Sequence, residues 1–414
     1  IDTSEKYIEG RFPDKALDII DQVGAKVKLK NVVKSPEMIK IEKKLNKIIE
    51  DKHFNSNPDK ITSLEELLDK YEESTKKMIL NLKDHKYIVT QNDVLEVISD
   101  KTNIPIEDLK LQDFDKIKVL KNKLNDEIVG QDKQIAQIYK SLIRAKAGFR
   151  NKDKPMCSLL FAGPTGVGKT MTAKIIAENL FINKNNFIII DMSEYTDKTA
   201  VNKLLGSNPG YIGFDKGGVL TEKVRKNPYS LILFDEIQKA DPDILYTLLQ
   251  ILEEGKLTDS SGKTIDFSNC IIVMTTNIGS DAINYTGIGF KNKSENKNSD
   301  VLSSLKKYFP NDLLNRIDEI VIYNLLSDNQ IKTILNKELQ SFKQDLYLRG
   351  INIKFSSEVS EFLFNKIQFD NFGARQVIKT IQRELQTKIA ERMIESEKKT
   401  NLEISVKDED ICVI

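Results

Sequence analysis

Four short apolar runs punctuate the middle of the chain without alternation: Leu159-Leu160-Phe161, Phe187 to Ile190, Leu231 to Phe234 and Ile271 to Met274. Runs of this length suit strands buried on both faces of a parallel sheet. Three of them lead into polar residues, namely Gly163, Asp235-Glu236 and Thr276-Asn277. That is the carboxyl end of the strand, where open α/β sheets bind ligands.

On either side the pattern is helical. Ile8, Ala16, Leu17, Ile19, Ile20 and Val23 recur at helical spacing, with Pro13 at a first turn. Met38, Ile41, Leu45 and Ile48 form a heptad seam that resumes at Leu64, Leu68, Tyr71, Thr75, Met78 and Leu82, with Ser63 and Glu66 as a capping box. The two seams predict an antiparallel helical hairpin, or two amphipathic helices lying on a core. Tyr87-Ile88-Val89 is a strand candidate, followed by a helix from about Thr90 and a connector through Pro105. Lys291 to Asp300 predicts a loop, residues 327–397 a helical module and Leu402 to Val406 a closing strand.

Composition removes several function classes. The 414 residues carry 63 Lys and Arg against 62 Asp and Glu, a net charge of +1 that gives no bulk field for nucleic acid or anionic lipid. No apolar run approaches the roughly 18 residues of a membrane helix. Three isolated cysteines, Cys157, Cys270 and Cys412, argue for a reducing compartment, and His53 and His85 are the only histidines. The chain opens at Ile1 inside a helical pattern, without a start methionine or signal peptide, and reads as part of something longer.

The chemistry concentrates in one segment. Gly163-Pro164-Thr165-Gly166-Val167-Gly168-Lys169-Thr170 is a complete phosphate-binding loop between a strand and a helix. Its glycines let backbone amides turn inward, and the helix start adds partial positive charge. Lys169 is placed to neutralise β- and γ-phosphates, and Thr170 to hold Mg²⁺. Asp235 is placed to reach that Mg²⁺ through water, and Glu236 to act as general base. Asn277 is an uncharged group suited to orienting water. Arg316 and Arg375 read, on sequence alone, as surface salt-bridge residues.

Taken together these residues resemble the AAA+ ATPases, and within them the second ATPase domain of the two-ring Clp unfoldases. The supporting stretches run from Gly163-Thr170 through Gly206-Gly213, Leu231-Asp241, Leu257-Phe267, Met274-Ser280 and Leu313-Val321 to Gly373-Arg375. Tyr7 to Asp21 resembles the end of the first ATPase domain, lacking a leucine the family carries between Phe12 and Pro13.

The resemblance implies an α/β fold, a parallel AAA+ sheet with helices on both faces, plus a helical lid and a short coiled-coil hairpin. The implied domains are 1–34 (end of the first ATPase domain), 35–86 (coiled coil), 87–123 (remaining small subdomain and linker), 124–325 (second ATPase subdomain) and 326–414 (lid). It implies ATP with Mg²⁺, adenine against Ile128-Val129, Arg316 as an arginine finger in trans, Arg375 as a lid sensor arginine and Asn277 as the polar sensor. Tyr211-Ile212-Gly213 would be the pore loop gripping unfolded polypeptide. Ile288-Gly289-Phe290 resembles the tripeptide that docks into a ClpP-type protease. With room for one hairpin only, the ClpC-like branch is favoured. That implies a homo-oligomer, a hexamer, acting on proteins in a bacterial cytoplasm or plastid stroma, with neither nucleic acid nor membrane as partner. A ClpB-like disaggregase, a nucleic-acid motor and a non-catalytic subunit stand as alternatives.

Overall fold

A computed structural model describes residues 13–30, 36–49, 67–76, 88–102, 106, 113–147, 149, 151, 153–181, 183–197, 199–206, 217–280, 294–367, 373–395, 401–407 and 410–413. The chain divides into two compact units, residues 1–110 and 111–414.

In the first unit, α1 (Asp14–Lys30) packs on α3 (Gln91–Thr102), with α2 (Pro36–Ile49) between them in sequence. Ile19, Val23 and Val27 face Val97 and Ile98 in a small core, while Leu17 and Ile20 stay exposed. The periodic set is thus narrower than the sequence pattern. Lys26 to Asp100 at 2.6 Å fringes this core, a solvent-facing pair of small worth. Met38 on α2 is buried, and residues 67–76 are helical. Ser63, Leu64, Glu66, Met78 and Leu82 lie outside the described residues. Ile88 and Val89 are not strand residues; both are exposed, Ile88 at 86%. Their backbone instead leads into the cap of α3, where the Thr90 N–H donates to Asp93 Oδ2 at 2.9 Å.

The second unit begins with α4 (Asp113–Glu127), which spans the expected boundary at 123/124, and α5 (Asp132–Lys146). A five-stranded sheet follows: β1 (Cys157–Ala162), β2 (Phe187–Asp191), β3 (Leu231–Asp235), β6 (Ile271–Thr276) and β7 (Glu319–Ile322), all parallel, in the order β2-β3-β6-β1-β7. A short antiparallel hairpin, β4 (Lys256–Thr258) and β5 (Thr264–Asp266), lies outside it. β1 and β6 are buried at every residue, which requires cover on both faces. β2 forms the edge, so its burial alternates and Ile189 is 48% exposed, contrary to the two-sided burial its apolar run suggests. β7, which the apolar runs do not reveal as a strand, is the opposite edge.

Helices between the strands include α6 (Lys169–Leu180), α7 (Ala200–Leu205), α8 (Val219–Lys226), α9 (Pro242–Glu254), α10 (Ser294–Tyr308) and α11 (Asn311–Arg316). Most of the Lys/Asn/Ser tract expected as a loop therefore starts α10. Val301 and Leu305, both fully buried, fix the later turns, and extending a formed helix backwards is far cheaper than starting one.

After β7 comes a lid: α12 (Asp328–Leu348), β8 (Asn352–Phe355), α13 (Ser357–Lys366), α14 (Ala374–Ile381), α15 (Thr387–Glu395), β9 (Asn401–Lys407) and β10 (Asp410–Val413). The expected closing strand is β9; it pairs parallel with β8 and antiparallel with β10. Leu335, Ile353, Val359, Leu363, Val377 and Ile404 centre the lid's own core.

Candidate active site

The loop from Gly163 to Gly168 joins β1 to α6 and carries three glycines at positive φ, Gly163, Gly166 and Gly168. Gly163 has a steric reason as well, since a Cβ there would lie 2.8 Å from the Tyr323 carbonyl oxygen. Gly168 is the N-cap of α6, so the helix amides and their partial positive charge open towards the loop. Ile128 lies over Gly168, 3.6 Å from where a Cβ would sit, and Val129 beside it is half-buried. Gln131 is fully buried and grips the chain after β7: its Nε2 donates to Asn324 O at 2.9 Å and its Oε1 accepts from Asn324 N at 3.1 Å.

Thr165, Gly166, Gly168, Lys169, Thr170, Asp235, Glu236, Thr275, Asn277 and Arg375 line one cavity of about 170 Å³. The expected residues thus come together from four places: the loop, the ends of β3 and β6, and the lid. Lys169 is buried, and its ammonium donates to Gly163 O, to Pro164 O at 2.7 Å and to Asn277 Oδ1 at 2.8 Å. Burial pulls its pKa down to about 7, with the Asp235 carboxylate opposing and Arg375 adding to the drop. The Thr170 hydroxyl donates to Asp235 Oδ1 at 3.2 Å. Two hard oxygen groups converging at the end of a phosphate loop are the donor set magnesium takes, its remaining positions filled by waters and phosphate. The residues present fit that ion.

Glu236 is the only non-glycine residue with positive φ among those described, at 56°. Its N–H donates to Thr275 Oγ1 at 3.0 Å, and its carboxylate pairs with Lys239 one turn later. Arg375 enters from the first turn of α14, and the lid docks by backbone: Ala374 N donates to Gly166 O at 2.9 Å.

Arg316 is elsewhere. It ends α11 and lines a separate cavity with Met156, Cys157 and Ser158, at the amino end of β1, where its guanidinium pairs with Glu253 at 2.6 Å. β1 is six residues long, so at about 3.3 Å per residue the arginine sits roughly 15 Å or more from the loop. Tyr211-Ile212-Gly213 and Ile288-Gly289-Phe290 lie outside the described residues. Four residues of the cavity were not anticipated as site residues: Met171, Thr275, Ala374 and Ile378. Thr275 shares the polar end of its strand with Asn277, but only the pairing of β3 with β6 brings it to the carboxylates.

Comparison with known proteins gives three matching family models: an AAA domain (Cdc48 subfamily) over residues 154–320, the C-terminal D2-small domain of ClpB over 326–406, and an AAA lid domain over 1–75. The chaperone protein ClpB of Oceanobacillus iheyensis is 34% identical, the match taking in 99% of this chain and 53% of that protein. The chloroplastic chaperone protein ClpC2 of Oryza sativa subsp. japonica is 36% identical, over 96% of this chain and 46% of that protein. A cryo-electron microscopy reconstruction of Hsp104 in a closed state, with ATPγS and FITC casein, matches at TM-score 0.70 and 33% identity, covering 85% of this chain and 60% of that one. The chain spans about half the length of the curated relatives it matches. With these domains in this order, and relatives of about 35% identity along nearly all of its length, the chain belongs to the AAA+ Clp ATPases.

Proposed function

We propose that the chain binds and hydrolyses ATP with Mg²⁺, as the motor of a ring that unfolds proteins by threading them. The observation that carries this is the convergence of the phosphate loop, Asp235, Asn277 and the lid's Arg375 on one cavity. Lys169 and Arg375 hold the phosphates by charge, and Ile128 and Val129 provide the apolar side for adenine. Magnesium, when bound by Thr170 and Asp235, offsets phosphate charge. Glu236 takes the proton from the attacking water while Asn277 orients it.

Arg316 lies too far along β1 to serve its own site, which supports the reading that it reaches the neighbouring subunit's site. Such an arginine contributes on the order of 10³–10⁵ in rate, so turnover should depend on assembly into a ring, a hexamer in our reading. Tyr211, Ile212 and Gly213 grip the substrate chain, and Ile288, Gly289 and Phe290 dock a ClpP-type protease in a bacterial cytoplasm or plastid stroma. No helix among the described residues is long and apolar enough to cross a membrane. The second reading, a disaggregase without a protease, is favoured by the match of the lid to the ClpB small domain.

The test is a pair of variants in the assembled protein. Glu236→Gln should retain ATP binding with turnover lost, and Tyr211→Ala should retain turnover with unfolding of a tagged substrate lost. Unchanged turnover in the first removes the assigned base. Co-sedimentation with a ClpP-type protease, abolished on deleting 288–290, separates the two readings.

A further inference from the structure

Thr275 stands on β6 directly across from the end of β3, where Phe234 pairs with Met274. It is 2% exposed, and its hydroxyl has two partners. It donates to Asp235 Oδ1 and accepts from the Glu236 N–H at 3.0 Å. One side-chain oxygen therefore ties down both neighbouring acids, one by its carboxylate and the other by its backbone.

The second tie falls at a strained position. Glu236 adopts φ 56°, ψ 49°, a left-handed conformation that costs free energy in any residue with a side chain. It persists only where surrounding bonds over-determine it. Here those are the Thr275 hydroxyl on the amide and the turn closed by Lys239 N on Glu236 O at 2.9 Å. The left-handed residue reverses the chain at the end of β3, so that Glu236 lines the cavity beside Asp235.

We propose that Thr275 is a positioning residue for hydrolysis. Its hydroxyl fixes the Asp235 carboxylate towards Thr170 and holds the Glu236 backbone in the left-handed turn that points the base into the site. This deepens, and rests on, the hydrolytic reading above. Valine has nearly the same shape without the hydroxyl, so Thr275→Val removes both bonds and little packing. Loss of such an outer tie typically costs about 10–100-fold in rate or metal affinity.

The experiment uses the whole 414-residue chain and three readouts. In single-turnover hydrolysis with protein in excess over Mg-ATP, Thr275→Val should fall by about 10–100-fold, while its affinity for ADP without magnesium stays at the wild-type value. Thr275→Ser, which keeps the hydroxyl, should restore most of the rate. Hydrogen exchange of the Glu236 amide in nucleotide-free protein should speed up in Thr275→Val and remain protected in Thr275→Ser. A valine variant that hydrolyses like wild type overturns the proposal, as does a Glu236 amide equally protected in both variants. Should the wild-type chain bind Mg-ATP and never cleave it, the hydrolytic reading falls, and the amide exchange still decides whether Thr275 anchors Glu236.

Discussion

Gly373 offers a sharp test of how the lid meets the phosphate loop. It adopts φ 52° and ψ −139°, a region open to glycine and strained for other residues. A Cβ built there would lie 2.7 Å from Gly166 O and 3.0 Å from its carbonyl carbon, both rigid backbone atoms of the loop. Gly373→Ala therefore adds strain of about 1–3 kcal/mol. It also forces apart the Ala374 N to Gly166 O hydrogen bond of 2.9 Å, worth about 1 kcal/mol more. The sum, roughly 2–4 kcal/mol, falls on the docked state and amounts to about a 30- to 700-fold loss of nucleotide affinity.

The assay is titration of a fluorescent ADP. Gly350→Ala serves as control, because Gly350 also has positive φ, 82°, but nothing within 4 Å of its Cβ position. That variant should lose about 1–2 kcal/mol of stability and no nucleotide affinity. If Gly373→Ala, folded as judged by circular dichroism, binds ADP within twofold of wild type, the docking contact is not what holds the site closed.

Other outcomes are equally open to measurement. With burial lowering its pKa to about 7, Lys169 should be largely neutral at pH 8 in the free protein and charged against phosphate, so binding should take up a proton there. Calorimetry in buffers of different ionisation heat should show that uptake, with affinity falling by up to about tenfold per pH unit above 7; a binding constant flat from pH 7 to 9 would refute it. Arg316→Ala should bind ATP normally and lose assembled turnover by about 10³-fold or more, whereas retained turnover removes it as the trans arginine. Cys157 and Cys270 are buried and burial pushes the Cys270 thiol up to about 12, so a thiol reagent should label the folded chain at Cys412 and reach the other two only on unfolding. Rapid labelling of Cys270 at pH 8 would contradict the packing of β6.

The sequence made the site more legible than its surroundings, for physical reasons. A phosphate loop is contiguous, so Gly163 to Thr170 shows itself without any knowledge of tertiary structure. The central strands are apolar throughout because two faces bury them. β7 and β8 escaped the pattern because each is four residues long, and β7 at the edge of its sheet needs only partial apolar character. Ile88 and Val89 misled in the other direction: two β-branched residues suggest a strand, yet they precede a helix cap and have no partner strand among the described residues. Thr275 lay out of reach because its role depends on which strand lies beside β6, and strand order is not written locally.

On the proposed trans role, the separation of Arg316 from its own phosphate loop would give each protomer two unlike ends, one that receives help and one that supplies it. Contacts of this kind are head-to-tail, and they leave no unserved site only when they close on themselves. Two crippled variants, one without Lys169 and one without Arg316, should then partly rescue each other when mixed. An intact loop gains an intact guanidinium wherever an Arg316-less protomer borders a Lys169-less one in the right direction. Conversely, each Arg316-less chain mixed into a wild-type population should silence the one neighbouring site it would serve, so turnover should fall in proportion to its abundance.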